Sequence, residues 1–269
     1  MSNKTYTSRF RDNKLSFLGV TKSEWIKFRT SRSNLVTVAI TFLVIVGFGA
    51  LSASVNRHRG GGDGEIRSPF DRITTGINFA ILIVAVFGSR FGAREYDSGM
   101  IRSSFSAVPR RLPVLINKAI VFSAVILPKM IVAILVSFYV GCAILKHNGT
   151  VVPKLSDPFI LRALMGYALY VLGLGLLGLF IGMLTRQPAI AIGVTVGGVI
   201  FLPALLGAIL PSSWHKVLEY LPSNAGGSFT TPAANTVNAL SPTAGGAVFL
   251  AWIVGVFALT CVVLKRRDV

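Results

Sequence analysis

Acidic residues are scarce. The chain carries 10 Asp and Glu against 27 Lys and Arg in 269 residues, and none of the ten lies inside the long apolar stretches that make up about half of it. That removes the buried acid–base pairs on which membrane-embedded hydrolases depend, and the mid-depth carboxylates that proton-coupled carriers use. Histidine is equally thin. His58, His147 and His215 fall between the stretches and far apart, and neither HExxH nor a nucleophile elbow occurs. The only cysteines, Cys142 and Cys261, lie near the ends of the third and sixth stretches. The topology derived below puts them in opposite leaflets, which excludes a disulfide or a shared metal site. No short apolar core followed by a small-residue cleavage site stands near the start, so no cleaved signal peptide is expected. No catalytic residue, metal or cofactor is expected in this chain.

What fills the sequence is six apolar runs: Leu35–Val55, Thr74–Gly92, Ala119–Leu145, Leu161–Leu184, Ala189–Leu210 and Gly245–Leu264. Each is long enough, or nearly so, to cross a ~30 Å hydrocarbon layer as a helix. The fold class expected is all-α and polytopic, with six transmembrane helices. Basic residues then fix the orientation. With the N-terminus inside, 18 Lys and Arg lie on the inner side and 8 on the outer, while Lys129 lies within a span. The positive-inside rule selects a multi-pass protein of the cytoplasmic membrane with both termini cytoplasmic. The net charge of +17 and pI near 10.7 therefore read as topology signals and contacts with anionic membrane lipid, not as a nucleic-acid footprint.

The segments between runs carry further patterns. Residues 1–33 are basic, and Thr21-Lys-Ser-Glu24 fits a capping box, with the Thr hydroxyl on the third helical amide and Glu24 reaching back to the cap. Trp25 and Phe28 are expected to share a face of an amphipathic helix along the inner membrane surface. Gly60-Gly-Gly-Asp-Gly64 is a flexible outer connection and lacks Walker spacing. Between the second and third runs, over 93–118, Ile101, Phe105 and Val108 repeat at i, i+4, i+7, giving a short helix one apolar stripe, and Pro109 stops it. So short a segment has no core of its own, so the stripe needs the membrane surface or a partner protein. In the outer segment 211–244, Trp214, Val217, Leu218 and Leu221 share one face of a short interfacial helix, and Gly226, Gly227, Pro232 and Pro242 mark turns after it. Gly178-xxx-Gly182 and Gly193-xxx-Gly197 are expected to bring helices close within the protomer rather than at a dimer seam. Lys129, directly after Pro128, has three readings. It faces a cavity and attracts an anionic group, it snorkels to the inner interface, or it bonds carbonyls freed at the proline.

These pieces, in this order between six spans, resemble the membrane permease subunits of ABC transporters of the ABC-2 type, especially the small six-span permeases common in actinobacteria. The likeness rests on Ser23-Glu-Trp-Ile-Lys-Phe-Arg29, Arg94-Glu-Tyr-Asp-Ser-Gly-Met-Ile-Arg102, Ala107-Val-Pro-Arg-Arg-Leu112 with Lys118, Tyr220-Leu-Pro-Ser-Asn-Ala-Gly226 and Lys265-Arg-Arg-Asp268. Pro128-Lys129 departs from the pattern. The resemblance implies a type V exporter-like fold, with a connecting helix at Glu24, Trp25 and Phe28. It makes the 93–118 loop, through Glu95, Gly99, Ile101, Arg102, Phe105 and Val108, the coupling contact to a separate ATPase. Segment 211–244 becomes an extracellular re-entrant element. ATP and magnesium would belong to that partner ATPase, and a second permease copy or related permease would complete the pore. An antibiotic, lipid or peptide would be exported, with Lys129 a candidate on its path. Two rivals from other classes stand beside this: an ATP-independent channel or secondary carrier, and a membrane anchor or sensor subunit. A co-purifying protein with a Walker motif separates the first from the permease.

Overall fold

A computed structural model describes residues 17–55, 68–97, 111–231 and 240–266. Among the described residues all regular structure is helical, and six helical stretches are long and apolar enough to span a membrane: Arg32–Val55, Pro69–Arg94, Leu112–His147, Pro158–Thr185, Pro188–Ile209 and Pro242–Arg266. They coincide with the six apolar runs, and each begins earlier than its run. Proline explains four of these starts, at Pro69, Pro158, Pro188 and Pro242. Its missing N–H costs nothing in a first turn and its φ is already helical. Asp157 and Ser68 supply two of the caps: the Asp157 carboxylate accepts from the Phe159 amide at 2.9 Å, and the Ser68 hydroxyl accepts from the Asp71 amide at 3.2 Å.

In chain order, α1 is Phe17–Thr30, α2 Arg32–Val55, α3 Pro69–Asp97, α4 Arg111–His147 and α5 Pro158–Thr185. The fifth span is compound: α6 (Pro188–Ile192), a π-helix (Gly193–Phe201) and α7 (Leu202–Ile209). A 3₁₀ turn (Ser212–Trp214), α8 (His215–Leu218) and α9 (Pro222–Ser228) lead to α10 (Pro242–Arg266). Successive spans run in opposite directions. One end of the bundle therefore gathers α1, the end of α3, the start of α4, the α5–α6 turn and the end of α10. It is called the basic end below.

The core is the parallel pair α3 and α5. Of their most apolar windows 67% and 78% is buried, against 17% for α2, the fifth span and α10. Small residues allow the approach. A methyl group at Gly88 would collide with the carbonyl oxygen of Gly175, and one at Gly92 with that of Leu179. Lipid tails give no hydrophobic drive for helices to associate, so close backbone packing of this kind carries much of the attraction. Gly178 and Gly182 belong to this seam, facing Ala85 and Ser89 of α3. The other glycine pair does not match the expectation. Positions Gly193 and Gly197 have no atom within 4 Å of where a Cβ would sit. They lie in the π-helical segment, whose single buried residue is Thr195, and they turn away from the rest of the protomer.

Hydroxyl groups tie the remaining helices to this core. Ser137 of α4 lies 3.2 Å from the Ile45 carbonyl of α2 and 3.3 Å from the Ile73 carbonyl of α3. Ser89 of α3 meets Thr195 of the fifth span at 3.1 Å. Helix α4 passes through Pro128 without interruption. Its 37 residues reach roughly 55 Å, well beyond a ~30 Å hydrocarbon layer.

Candidate functional site

The basic end holds a cluster of buried polar and charged side chains. Helix α1 begins at Phe17, a full turn before Thr21, so Thr21 is not a cap and Glu24 does not close a capping box. Both serve long-range contacts instead. The Thr21 hydroxyl donates to Oδ1 of Asn117 on α4, whose Nδ2 donates to the Pro113 carbonyl at 2.8 Å. Glu24 is 2% exposed. Its Oε1 lies 2.8 Å from Lys27 Nζ, and its Oε2 faces Lys118 Nζ on α4 at 3.4 Å. The Lys118 side chain is only 3% exposed, and its ammonium stands 4.6 Å from the centre of the Phe91 ring. Desolvating these charges is costly, so the pair holds only while both partners are present.

Thr21, Glu24 and Phe28 fall at i, i+3, i+7, so one face of α1 meets the bundle. Phe28 is buried, with its ring edge-on to Phe87 at 5.9 Å and to Phe91 at 5.5 Å. Both of those rings also contact Phe122 of α4, at 5.6 and 5.9 Å. Trp25 departs from the expectation: it is 45% exposed and shares the outward side with Ile26, not the face of Phe28. Three residues apart is close to a shared face, but the burial of Glu24 one turn before Phe28 sets the rotation. The α1–α2 elbow at Ser31 is held as well. Asn34 Nδ2 donates to the Phe28 carbonyl at 3.3 Å, and Arg94 Nη1 donates to the Ser31 hydroxyl at 2.8 Å.

The segment 93–118 is helical at both of its ends. Helix α3 continues to Asp97 and α4 starts at Arg111, which makes Glu95 part of the last turn of α3. Gly99, Ile101, Arg102, Phe105 and Val108 lie outside the described residues. The helix ends on either side of residues 98–110 meet the cluster just described, through Arg94 of α3 and through Asn117 and Lys118 of α4. Beside it, Arg186 closes α5 in a left-handed conformation, φ 60°, with its guanidinium 5.3 Å from the Tyr96 ring centre.

Lys129 borders an apolar groove of about 600 Å³ between α2 and α4, together with Leu35, Val38, Phe42 and Val132. Leu35 and Val38 belong to the first two turns of α2. Lys129 thus sits level with the basic-end quarter of that span, within reach of an interface for a long side chain. The described residues offer it no hydrogen bond to the carbonyls near Pro128.

At the opposite end, the outer segment does not form one amphipathic helix. A 3₁₀ turn, α8 and α9 replace it, because the Leu218 carbonyl is taken by Asn224 Nδ2 at 2.8 Å and Pro222 opens a new helix. Trp214 and Val217 are exposed, Leu218 is 7% exposed and Leu221 is half-buried. Helix α9 packs inward: a methyl at Gly226 would collide with the Tyr170 ring of α5, and one at Gly245 of α10 with Ser228. Tyr170 donates to the Ser223 carbonyl at 3.2 Å and Trp252 to that of Tyr220 at 2.8 Å.

Sequence reasoning missed the roles of Asn117, Lys118, Phe87 and Phe91. The signal was faint but present: Lys118 is a lone charge within Val114-Leu-Ile-Asn-Lys-Ala-Ile120, a pattern that reads as a continuing helix better than as a loop. Among the described residues no three His, Cys, Asp or Glu side chains converge as metal ligands would.

Compared with known families, the chain matches the one described as ABC-2 family transporter protein over residues 18–269. No curated protein matches it.

Proposed function

The chain belongs to the ABC-2 family of transporter proteins, a multi-pass membrane permease component, and on that premise we propose that it is the membrane subunit of an ATP-driven exporter in the cytoplasmic membrane. Separate ATPase subunits bind at the basic end, which faces the cytoplasm, and a second permease, the same or related, completes the pathway. An amphiphilic compound such as an antibiotic, lipid or peptide is the cargo. ATP and magnesium are bound by the partner.

The observation that carries this reading is the way α1 is fastened to the start of α4. Glu24–Lys118 and Thr21–Asn117 join them, and the Phe28, Phe87, Phe91 and Phe122 rings fill the space to α3. Residues 98–110 connect the end of α3 to the start of α4. A push on that connection from below therefore reaches α1, α3 and α4 together rather than one helix end. Glu95 and the stripe of Ile101, Phe105 and Val108, with Gly99 and Arg102 between, are the residues assigned to meet the ATPase. The test is purification of the tagged full chain in mild detergent. Co-purification of a chain with a Walker motif, whose ATPase rate rises with the permease bound, is the expected result. Transport by the chain alone, without ATP, would instead make it a carrier.

A further inference from the structure

A second cavity, of about 610 Å³, lies on the other side of α2 from the Lys129 groove, between α2, α3 and the start of α6 at Pro188. Its wall on α3 is graded along one helix face. Leu82, Ile83, Val86 and Phe87 line the deeper part, and Arg90 and Arg94 line the part nearest the basic end. Leu82 and Arg94 are separated by three turns and a third, roughly 18 Å of rise. Across from the arginines, Ser33, Asn34 and Thr37 of α2 add polar groups. Both arginines are exposed, and Arg90 has no hydrogen-bond or ion-pair partner among the described residues. Two cations at the mouth and an apolar interior beneath match a molecule with an anionic head and a hydrocarbon tail. Guanidinium groups bind carboxylate and phosphate through paired N–H donors, and a tail is taken up by apolar walls. Phe87 and Phe91 are common to this cavity and to the aromatic cluster under α1, so an occupant touches the same rings that Phe28 and Lys118 touch.

We infer that this cavity is a binding site for an amphiphile with an anionic head, phosphate or carboxylate, admitted from the basic-end leaflet. Arg90 and Arg94 hold the head, and Ile83, Val86 and Phe87 take the tail. The inference deepens the exporter reading and rests on it for the identity of the cargo class, while the binding itself needs no ATPase.

The probe is tritiated dodecyl phosphate, added to the purified full-length chain in phosphatidylcholine nanodiscs, with empty discs as the blank. Saturable binding is expected. Arg90→Gln should weaken it about tenfold and Arg90→Gln/Arg94→Gln more, as expected for loss of charge-assisted contacts. Ile83→Trp, which fills the apolar part without changing charge, should weaken binding too. Because Arg94 also holds the α1–α2 elbow, Arg90→Gln and Ile83→Trp decide the matter if the double variant fails to fold. Lys22→Gln/Arg29→Gln on the exposed side of α1 removes the same charge elsewhere and should leave binding within about twofold. Dodecyltrimethylammonium should not compete. Exchanging part of the phosphatidylcholine for phosphatidylglycerol separates the two sources of such a head. Competition means that a bilayer lipid occupies the site, and its absence means a free amphiphile; either supports the anionic-head chemistry. Equal binding by wild type, Arg90→Gln and Ile83→Trp, or equal competition by the cationic amphiphile, overturns the site. Since the assay contains neither ATP nor a partner chain, its failure leaves the exporter reading standing, and failure to find an ATPase leaves the site standing.

Discussion

Gly178-xxx-Gly182 and Gly193-xxx-Gly197 are the same motif with opposite surroundings. The first lies in the α3–α5 seam, where backbone meets backbone; the second lies in a π-helical span with open space beside it. The fifth span is fastened to α3 near its buried face by the Ser89–Thr195 contact at 3.1 Å and keeps most of its surface outside the protomer. The difference teaches that a small-residue motif states a capacity for close approach and leaves the partner unnamed. It also sets a tightly packed spine, α3 with α5, against a fifth span that lies mostly outside it.

The largest effect should come from adding one methyl group to the spine. Gly88→Ala places a Cβ against the Gly175 carbonyl, and separating the helices to relieve it should cost about 3 kcal/mol or more. Loss of the monodisperse peak in size-exclusion chromatography is expected. Gly193→Ala, with nothing within 4 Å, should keep that peak. Equal behaviour of the two variants would erase the distinction between spine and periphery.

Next comes the fastening of α1. Glu24→Ala removes the carboxylate that faces the buried Lys118 ammonium and should destabilise by about 3 kcal/mol, read as a lowered thermal midpoint in detergent. Glu24→Met/Lys118→Met should recover most of that loss, since an apolar pair of similar volume avoids the desolvation cost. A double variant as unstable as the single one would mean that Glu24 acts through Lys27 or through the fold of α1 alone. A smaller effect, about 1 kcal/mol, is expected for Thr195→Val, which removes one interhelical hydrogen bond. Its more specific sign is faster amide exchange confined to Gly193–Phe201.

The same contrast explains what was legible in the sequence. The six spans were, because a run of some twenty apolar residues has one solution in a bilayer. Their starts were read late, since α4 continues as a helix through Arg111 to Lys118 where polar residues interrupt the apolar pattern. The capping-box reading of Thr21 and Glu24 failed because their partners are Asn117 and Lys118, more than ninety positions away; a local rule does not see a contact made across the bundle. Trp25 and Phe28 differ for that reason also. The π-helix has no marker in Gly193-Val-Thr-Val-Gly-Gly-Val-Ile-Phe201, and the fate of each glycine pair depends on which helix lies opposite. In the outer segment the apolar spacing of Trp214, Val217, Leu218 and Leu221 was real, but Pro222 and Asn224 broke the helix that would have used it.

The central claim is that the connection between α3 and α4 transmits work from a separate ATPase to the fastened α1–α3–α4 end. The measurement that tests it most directly is ATPase stimulation in the reconstituted complex, comparing Phe105→Ala and Glu95→Ala with Ser103→Ala. Loss of an aromatic anchor at a well-packed contact often costs ~2 kcal/mol or more. The account predicts that Phe105→Ala inserts normally while stimulated ATPase activity and transport fall together, that Glu95→Ala does the same more weakly, and that Ser103→Ala behaves as wild type. Wild-type stimulation and transport in both Phe105→Ala and Glu95→Ala would contradict it.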